Sequence, residues 1–549
     1  MDVTARTFPY HLARILQDLE SSVFVSIDLE FSGIHIPSNG RAGPQSLQQR
    51  YEDLKESAEK YQVLQVGLTF GIEDAEAGQR TCKYSRPFTA ENLLAKYTLK
   101  PYNLYLSPII DRRLDIERAW MFQSSAVEFL LENKFSMDSL FKGVTYVSRE
   151  EEAKAISKAE ERRKATPIQT SLDVKETDYD SLAFLDLVRK LIDDWLALGD
   201  KRNDYLNIPP PSRQSEAQTF KPMPSVLNRH QKRLVHQLVE VEYPGFVTIG
   251  RPEWVQIVEY NESRETAVGE KRIEWITDRA RKETGFRWIA EALVGGDLTH
   301  LSPGYFHGVR GNNTAPTEQY ETIEEFVDEF KKRLKAHRFI LVGHNLFTDL
   351  IYFFRCFFGP LPDRMEDFKS MVHEHFEVVD TKYLFTHDCG DINPISSLQE
   401  INDSLLKISK PKMSIHPHFA RYEVQRIDHE AGYDSLLTAQ IFLKLSARLG
   451  GDEVVPGGSS MDTSSATTQN RFSNRFSQLQ VGKSIDGLAD ESEGSEGVLG
   501  DHSRANKIRQ AAKGNLIPRP YSQFWSVYGN KLRVFGTKER VCDVGEGVK

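Results

Sequence analysis

Apolar and polar residues alternate along residues 23–34, whose sequence is VFVSIDLEFSGI. The odd positions are apolar, whereas Ser26, Asp28 and Glu30 share the opposite face. A period of two predicts a β-strand with one apolar face and one acidic face. Burying carboxylates is costly, so the two acids require a cation, a basic partner or a solvent-filled cleft. An edge strand with a solvated acidic face is the alternative that this segment alone leaves open.

Similar patterns elsewhere predict an α/β fold. After an N-terminal helix at 5–20 and the acidic strand, alternation predicts a strand at 63–72 and apolar residues predict another within 97–110. Later, apolar residues at helical spacing within 320–336 precede the apolar strand FILV at 339–342. The sequence therefore predicts a small N-terminal meander followed by later helix–strand units.

The segment 180–262 is predicted to form a small insert with an α+β composition. An amphipathic helix at 181–198 is followed by a Pro-rich stretch, a basic helix at 228–244 and the strands FVTIG and WVQIVEY. Four basic side chains of the second helix suit contacts with phosphate, although ordinary solvated surface charge explains them equally well. These residues are Arg229, Lys232, Arg233 and His236.

Two later segments add polar residues at the ends of predicted elements. In GHNLFTDL, Asn345 can cap a helix, and Asp349 falls in the first turns of that helix, near the mouth of the sheet. In HEAGYDSLLTA, His429 and Asp434 lie at the start of an amphipathic helix. Taken singly, such an Asp complements a helix dipole, and such a His is a surface residue.

Composition narrows the class of protein. The 549 residues are 39% hydrophobic, and the four cysteines have no paired spacing, which argues against a zinc ribbon or a disulfide framework and favours a reducing compartment. No apolar run is long enough for a membrane span, so we expect no membrane association and residence in the cytoplasm, the nucleus or both. The net charge is −9, so any contact with nucleic acid must come from a local basic surface rather than from the overall charge. Residues 451–505 are rich in Ser and Gly and are predicted to be a disordered loop.

Together, these motifs resemble a known family. The order of an acidic pair, a later Asp, and a His with an Asp on a late helix is that of the DEDD exonucleases with a histidine base. The segments IDLEFSGI, QSSAVEFL, LVGHNLFTDL, DTKYL and HEAGYDSLLTA resemble the poly(A)-specific ribonuclease and deadenylase family. The nuclease resemblance covers residues 1–150 and 284–447, with 515–540 completing the domain through a strand pair at 521–536. The insert resembles an Arg-x-x-x-His domain for single-stranded nucleic acid, with Lys232 in the arginine position and His236 following it.

The resemblance implies an RNase H-like nuclease core, with a mixed sheet flanked by helices, interrupted by the α+β insert. It implies that four carboxylates hold two Mg²⁺ ions, with Mn²⁺ as a substitute, and that His429 is the general base. The four carboxylates are those of Asp28, Glu30, Asp349 and Asp434. The expected reaction is 3′-to-5′ cleavage of single-stranded RNA from a free 3′ end, which releases nucleoside 5′-monophosphates.

The substrate contacts implied by the resemblance involve Phe31, Ile34, Asn345 and Lys382. Phe31 and Ile34 would pack against terminal bases, but Phe31 also lies on the apolar face of its strand and suits the core equally well. Poly(A) is the first candidate substrate, and 3′-end trimming of small or non-coding RNAs is the alternative. A catalytically silent RNA-binding adaptor is a third hypothesis. The resemblance further implies a homodimer.

Overall fold

A computed structural model describes residues 1–34, 44–74, 97–164, 174–175, 177–209, 224–308, 322–387, 396–450, 516–518 and 521–546. The predicted disordered loop at 451–505 lies outside these residues. The chain divides into two compact units, one formed by residues 1–152 and 280–549 and the other by residues 153–279. The second unit is therefore longer at both ends than the predicted insert at 180–262.

The strands of the described residues lie in both units. In chain order, they are β1 Asp2–Val3, β2 Phe24–Phe31, β3 Val63–Glu73, β4 Tyr97–Tyr105, β5 Tyr205–Ile208, β6 Phe246–Gly250, β7 Val255–Glu259, β8 Phe339–Gly343, β9 Phe376–Asp380, β10 Met413–Ile415, β11 Lys531–Arg533 and β12 Val541–Asp543.

The α-helices of the same part of the chain also lie in both units. In chain order, they are α1 Phe8–Glu20, α2 Leu47–Lys60, α3 Ser124–Glu132, α4 Met137–Phe141, α5 Arg149–Lys164, α6 Tyr179–Ala197, α7 Arg229–Glu242, α8 Glu262–Lys282, α9 Arg287–Leu293, α10 Ile323–Ala336, α11 Phe347–Phe357, α12 Met365–His375, α13 Thr381–Thr386, α14 Leu398–Ser404, α15 Arg421–Val424, α16 Ala431–Leu449 and α17 Gln523–Tyr528.

A mixed sheet forms the centre of the larger unit. Its strand order is β1-β4-β3-β2-β8-β9, with β10 also paired to β4. Strands β2, β3 and β4 form an antiparallel meander, whereas β8 pairs parallel to β2 and β9 pairs parallel to β8. A three-stranded meander extended on its first strand by two parallel strands is the sheet arrangement of the RNase H-like fold. The predicted fold class is confirmed.

The two faces of β2 pack against different helices. The odd-numbered residues, such as Ile27 and Leu29, join a core cluster that also contains residues of α1, α10 and α11. On the other face, Phe24 packs edge-on against Phe442 of α16, with 4.9 Å between the ring centroids. The alternation of apolar and polar residues along β2 therefore directs its acids towards the side of the sheet that α16 covers.

The C-terminal segment differs from its predicted form. Instead of a strand pair within 521–536, the chain forms the helix α17 and then an antiparallel hairpin of β11 and β12. Residues Gln523–Tyr528, within the predicted strand pair, are helical, and the Phe524 and Trp525 side chains are buried. The backbone N–H of Asn530 donates to the carbonyl of Val378 at 2.8 Å, which attaches the hairpin to β9.

The smaller unit contains an antiparallel sheet of order β5-β7-β6. Its core consists of apolar residues from α6, α7 and the sheet, including Trp195, Leu238 and Ile257. The helix α7 begins with a capping box formed by Asn228 and Gln231. In the described part of the chain, no helix combines the length and apolar character needed to cross a membrane.

Candidate active site

The strand β2 supplies the first two acids of the site. Asp28 and Glu30 lie opposite Gly67 and Gln65 of β3, on the face that α16 covers. Because they are two residues apart in a strand, both side chains point to the same side of the sheet.

The N-terminus of α16 is fixed directly on β3 and β4. The Gln65 Oε1 atom accepts a 2.8 Å hydrogen bond from the Ala431 N–H, and the Asn103 Oδ1 atom accepts one of 3.2 Å from the Gly432 N–H. A Cβ atom on Gly67 would lie only 1.8 Å from the Ala431 carbonyl oxygen, so this close approach requires glycine.

This docking brings Asp434, in the first turn of α16, to the acids of β2. One carboxylate oxygen each from Asp28, Glu30 and Asp434 lie within 4.8 Å of one another. The three residues come from the first long strand and the last long helix of the core, so the fold rather than local sequence assembles the cluster.

Asp349 adds a fourth carboxylate from the first turn of α11. Burial raises the pKa of Asp349 to about 8, although the backbone N–H groups of Asp349 itself and of Leu29 partly oppose that shift. Burial, followed by the charges of Asp434, Glu30 and Asp349, raises the pKa of Asp28 well above its usual range. The structure therefore brings together all four predicted carboxylates.

These residues fit a divalent cation. The pKa of Asp434 is raised to about 7 by burial and by the nearby Asp428, and the pKa of Glu30 is raised by burial and by Asp434 and Asp349. Such shifts express the cost of placing several negative charges together in a partly desolvated cleft. A group of carboxylate oxygens of this kind suits Mg²⁺ or Mn²⁺ rather than zinc.

His429 directly precedes Glu430, the N-cap of α16, and its backbone adopts a φ of 63°. Its side chain is exposed, and its ring packs edge-on against Phe129 of α3, with 4.8 Å between the centroids. A hydrogen bond from the His429 backbone N–H lowers the pKa of Asp434, in opposition to burial. The imidazole of His429 is therefore exposed to solvent, in the loop just before the helix that carries the predicted metal ligand Asp434.

The two residues predicted to meet terminal bases differ in accessibility. Phe31 is only 8% exposed, and its ring centroid lies 4.4 Å from that of Tyr352, so the structure places Phe31 in the core. Ile34 is 44% exposed, and its backbone N–H donates to Gln123 Oε1 at 3.2 Å. Of the pair, Ile34 offers the larger surface to a ligand.

Asn345 and Lys382 also have roles that the sequence did not predict. Asn345 does not cap α11, because the N-cap is Leu346, and Asn345 instead has a φ of 56°. Lys382 is 1% exposed, and its ammonium group donates to the carbonyl oxygen of Ser396. Lys382 is therefore buried and bonded within the protein, and its contact with RNA stays a prediction.

Asp380 is a buried residue of the site that the sequence reasoning missed. Its carboxylate accepts hydrogen bonds from three backbone N–H groups, at 3.1 Å from Asn345, 2.8 Å from Lys382 and 2.9 Å from Arg533. Its charge also raises the pKa of Asp349. The signal was an acid directly after FEVV, at the carboxyl end of β9, where open α/β sheets usually build their sites.

The basic residues of α7 fall into two groups. The Lys232 ammonium donates to the carbonyl oxygen of Arg251 at 2.9 Å and also to that of Pro252, and His236 Nδ1 lies 2.6 Å from Thr248 Oγ1. Burial lowers the pKa of His236. Arg229 and Arg233 are exposed. The predicted phosphate contacts of the insert stay predictions, with the two arginines at the surface.

A cluster of carboxylates on an RNase H-like sheet is typical of nucleases that use divalent cations. The model for the CAF1 family of ribonucleases matches residues 3–442, and the chain belongs to that family. The predicted ribonuclease class is confirmed.

Three relatives show where the similarity extends. An uncharacterised Schizosaccharomyces pombe protein is 25% identical over 81% of this chain and 92% of its own length. The Xenopus laevis poly(A)-specific ribonuclease PARN is 24% identical over 82% of this chain, which spans 63% of that enzyme. The Bombyx mori pre-piRNA 3′-exonuclease trimmer is 22% identical over 81% of this chain and 71% of its own length.

Proposed function

We propose that this protein is a Mg²⁺-dependent 3′-to-5′ exoribonuclease that acts on single-stranded RNA and releases nucleoside 5′-monophosphates. The observation that carries the proposal is the convergence of the Asp28, Glu30 and Asp434 carboxylate oxygens within 4.8 Å, in a chain of the CAF1 ribonuclease family. Asp349 is the fourth member of this acidic set, and its charge helps to raise the pKa of Asp28.

The four carboxylates would hold two Mg²⁺ ions, with Mn²⁺ as a substitute. Such ions, when bound, supply Lewis-acid stabilisation of the phosphate and lower the pKa of bound water. The chain's own contribution is to fix these carboxylates on β2, α11 and α16. His429, exposed beside Asp434, would accept the proton of the attacking water, and its contact with Phe129 would orient the ring.

Poly(A) is the first candidate substrate, since the Xenopus relative is named for poly(A). Trimming of other 3′ ends is the second candidate, since the Bombyx relative is a pre-piRNA trimmer. The two activities share one chemistry and differ in base preference. An adaptor without catalytic activity has no physical need for four crowded carboxylates, whose charges repel one another.

One assay distinguishes these functions. The full chain is incubated with 5′-labelled oligo(A), mixed-sequence RNA or the matching DNA, with Mg²⁺ or with EDTA, beside Asp28→Ala and His429→Ala. Shortening of oligo(A) alone supports deadenylation, and equal shortening of mixed RNA supports trimming. Activity in EDTA, or full activity of Asp28→Ala, would overturn the metal-dependent mechanism, and RNA binding without cleavage would support the adaptor.

We also propose that the protein is a homodimer in the cytoplasm, the nucleus or both. Support for self-association comes from the apolar side chains of Phe122, Phe129 and Leu131, which are 41%, 42% and 55% exposed. Sedimentation equilibrium of the wild type and of Leu131→Glu tests the dimer, which a monomeric wild type would exclude. Imaging of the tagged chain in its native cells tests the location.

A further inference from the structure

A cavity of about 430 Å³ is lined by residues that precede α11, by α13 and by the segment that follows β11. Its volume lies in the range of small-ligand sites, roughly 300–1,000 Å³. Asn345, on its wall, is four residues before Asp349, and Asp380, which accepts a hydrogen bond from the Asn345 backbone N–H, raises the pKa of the Asp349 carboxylate. The cavity is lined by His344, Asn345, Lys382, Ser396, Ser397, Leu398 and Phe535.

Phe535 is the aromatic residue of this wall. It is 38% exposed, whereas Lys382 is 1% exposed, so a ligand in the cavity would meet the ring of Phe535 rather than the ammonium group behind it. The Lys382 Nζ atom lies 5.7 Å from the centroid of that ring, and the Arg533 guanidinium carbon lies 5.4 Å from it. Lys382 is buried, but the partly exposed guanidinium of Arg533 lies over the same ring. A cation with an exposed aromatic ring favours a ligand that carries both a phosphate and a base.

The position of Phe535 is tied to the catalytic loops. Phe535 follows β11, whose Arg533 backbone N–H donates to Asp380 at 2.9 Å. The same carboxylate holds the backbone of Asn345 and of Lys382. Asp380 therefore fixes three wall segments of the cavity relative to one another, although Arg533 is far from the other two along the chain.

We propose that Phe535 is a stacking platform for one nucleobase of the RNA, in a subsite beside the metal-binding carboxylates that the C-terminal hairpin completes. Asp380 is the positioning residue of this subsite. The inference rests on the proposed ribonuclease function, because it assigns a nucleotide of the RNA substrate to the cavity. Stacking tolerates all bases, so Phe535 would contribute affinity, whereas the exposed Asn345 amide is placed to read the base edge.

The test measures binding without cleavage, so that it does not depend on activity. Fluorescence anisotropy in EDTA gives the affinity of the full chain for 5′-labelled oligo(A), beside Phe535→Ala, Phe535→Tyr and the control Phe141→Ala. Phe141 is 53% exposed in the same unit and lies outside the cavity lining. Phe535→Ala should weaken binding roughly 5- to 150-fold, the usual range for one stacked base. Phe535→Tyr should bind close to wild type.

Oligomers with a single abasic nucleotide then separate stacking from a general structural effect. For the wild type, one abasic position near the 3′ end should weaken binding by a similar factor. For Phe535→Ala, the same abasic position should cause little further loss, because the partner of the base is already absent. Asp380→Asn should lose the same abasic sensitivity while the Mg²⁺-induced shift in Tm persists.

Wild-type affinity in Phe535→Ala would overturn the inference, as would an abasic penalty that Phe535→Ala leaves unchanged. These outcomes are distinct from failure of the proposed function. If the wild type does not cleave RNA with Mg²⁺ but binds it with a Phe535-dependent abasic penalty, the exonuclease proposal fails and the subsite stands. If the wild type cleaves RNA normally and Phe535→Ala does not change RNA binding, only the subsite proposal is wrong.

Discussion

The Ser26 hydroxyl donates a 2.7 Å hydrogen bond to the carbonyl oxygen of Ser435. Ser26 is two residues before Asp28 on the same face of β2, and Ser435 directly follows Asp434 on α16. The Ser435 hydroxyl in turn lies 2.9 Å from Thr69 Oγ1 on β3. Buried polar contacts therefore set the register between the strand and the helix that supply the carboxylate cluster.

Ser26→Ala should loosen this register. We expect a loss of about 0.5–1.5 kcal/mol of stability, the usual contribution of one hydrogen bond, together with weaker Mg²⁺ binding. Chemical denaturation and isothermal titration with Mg²⁺ measure the two effects. Ser21→Ala is the matched control, since its hydroxyl also bonds to a helix carbonyl, that of Gln17 at 2.8 Å, but at an exposed position. Equal Mg²⁺ affinity in both variants would show that Ser26 does not align the site.

Asp434→Asn should raise the stability of the metal-free protein at pH 8. The pKa of Asp434 in the folded chain is about 7, above its ordinary value, so the folded state binds this proton more tightly than the unfolded state. The resulting stability is present at low pH and is lost as the pH rises through about 7. The amide removes the charge, and we expect a gain of about 0.5–2 kcal/mol.

Thermal unfolding in EDTA between pH 5 and pH 8.5 measures this gain, and repeating the series with Mg²⁺ tests the metal site. Mg²⁺ should raise the Tm of the wild type at pH 8 and do so less at pH 5, because protons compete for the carboxylates. Asp434→Asn should lose most of the Mg²⁺ effect. A wild-type Tm that Mg²⁺ leaves unchanged at pH 8 would count against a cation at these acids.

Gly67→Ala should disrupt the docking of α16. The new methyl group would lie 1.8 Å from the Ala431 carbonyl oxygen, which is backbone and cannot move without moving the helix. Forced overpacking of this kind costs typically about 1–3 kcal/mol, and the displacement of Asp434 should abolish cleavage. Gly308→Ala is the control, because no atom lies within 4 Å of the added carbon there. Full activity of Gly67→Ala would refute this role of the glycine.

The periodic parts of the chain could be predicted, because the local pattern fixes them. In β2 and β3, the alternation of apolar and polar residues shows which face of the strand each residue occupies. In α10 and α16, the helical spacing of apolar residues does the same for the helix. Phe31 illustrates the limit of such patterns. Its position on the apolar face of the strand predicted a core residue, whereas its place in the family motif predicted a contact with a base. Packing against Tyr352 decided its place, and that contact is not local.

Asp380 shows why the rest of the site could not be predicted. It is one of 79 acids, and its partners Asn345 and Arg533 are far from it along the chain. Asn345 is a second case. An Asn before a helix is usually a helix cap. Its positive φ and its hydrogen bond to the distant Asp380 give it a different role, and neither is evident from the local sequence. Tertiary contacts determined both roles.

His429→Ala should lower kcat by about 10²–10⁴-fold, the range for loss of a general base, with little change in RNA binding. Phe129→Ala should lower kcat by a smaller factor, because it removes only the ring that packs against the imidazole at 4.8 Å. Single-turnover rates and anisotropy in EDTA separate chemistry from binding. Glu132→Ala, at an exposed position of the same helix, is the control. Unchanged single-turnover rates in His429→Ala would exclude the proposed base.

Substitutions on α7 should separate RNA binding from stability within the insert. Arg229→Ala and Arg233→Ala remove exposed cations, so each should weaken RNA binding and reduce the slope of log K against log salt by about 0.7, the value for one contact with a single strand. Lys232→Ala removes hydrogen bonds to the carbonyls of Arg251 and Pro252, so it should lower stability more than affinity. Anisotropy between 50 and 200 mM salt, beside thermal unfolding, measures both quantities. A salt slope that changes for Lys232→Ala but not for the arginines would reverse the assignment, and would place the phosphate contact at the position that resembles the family's arginine.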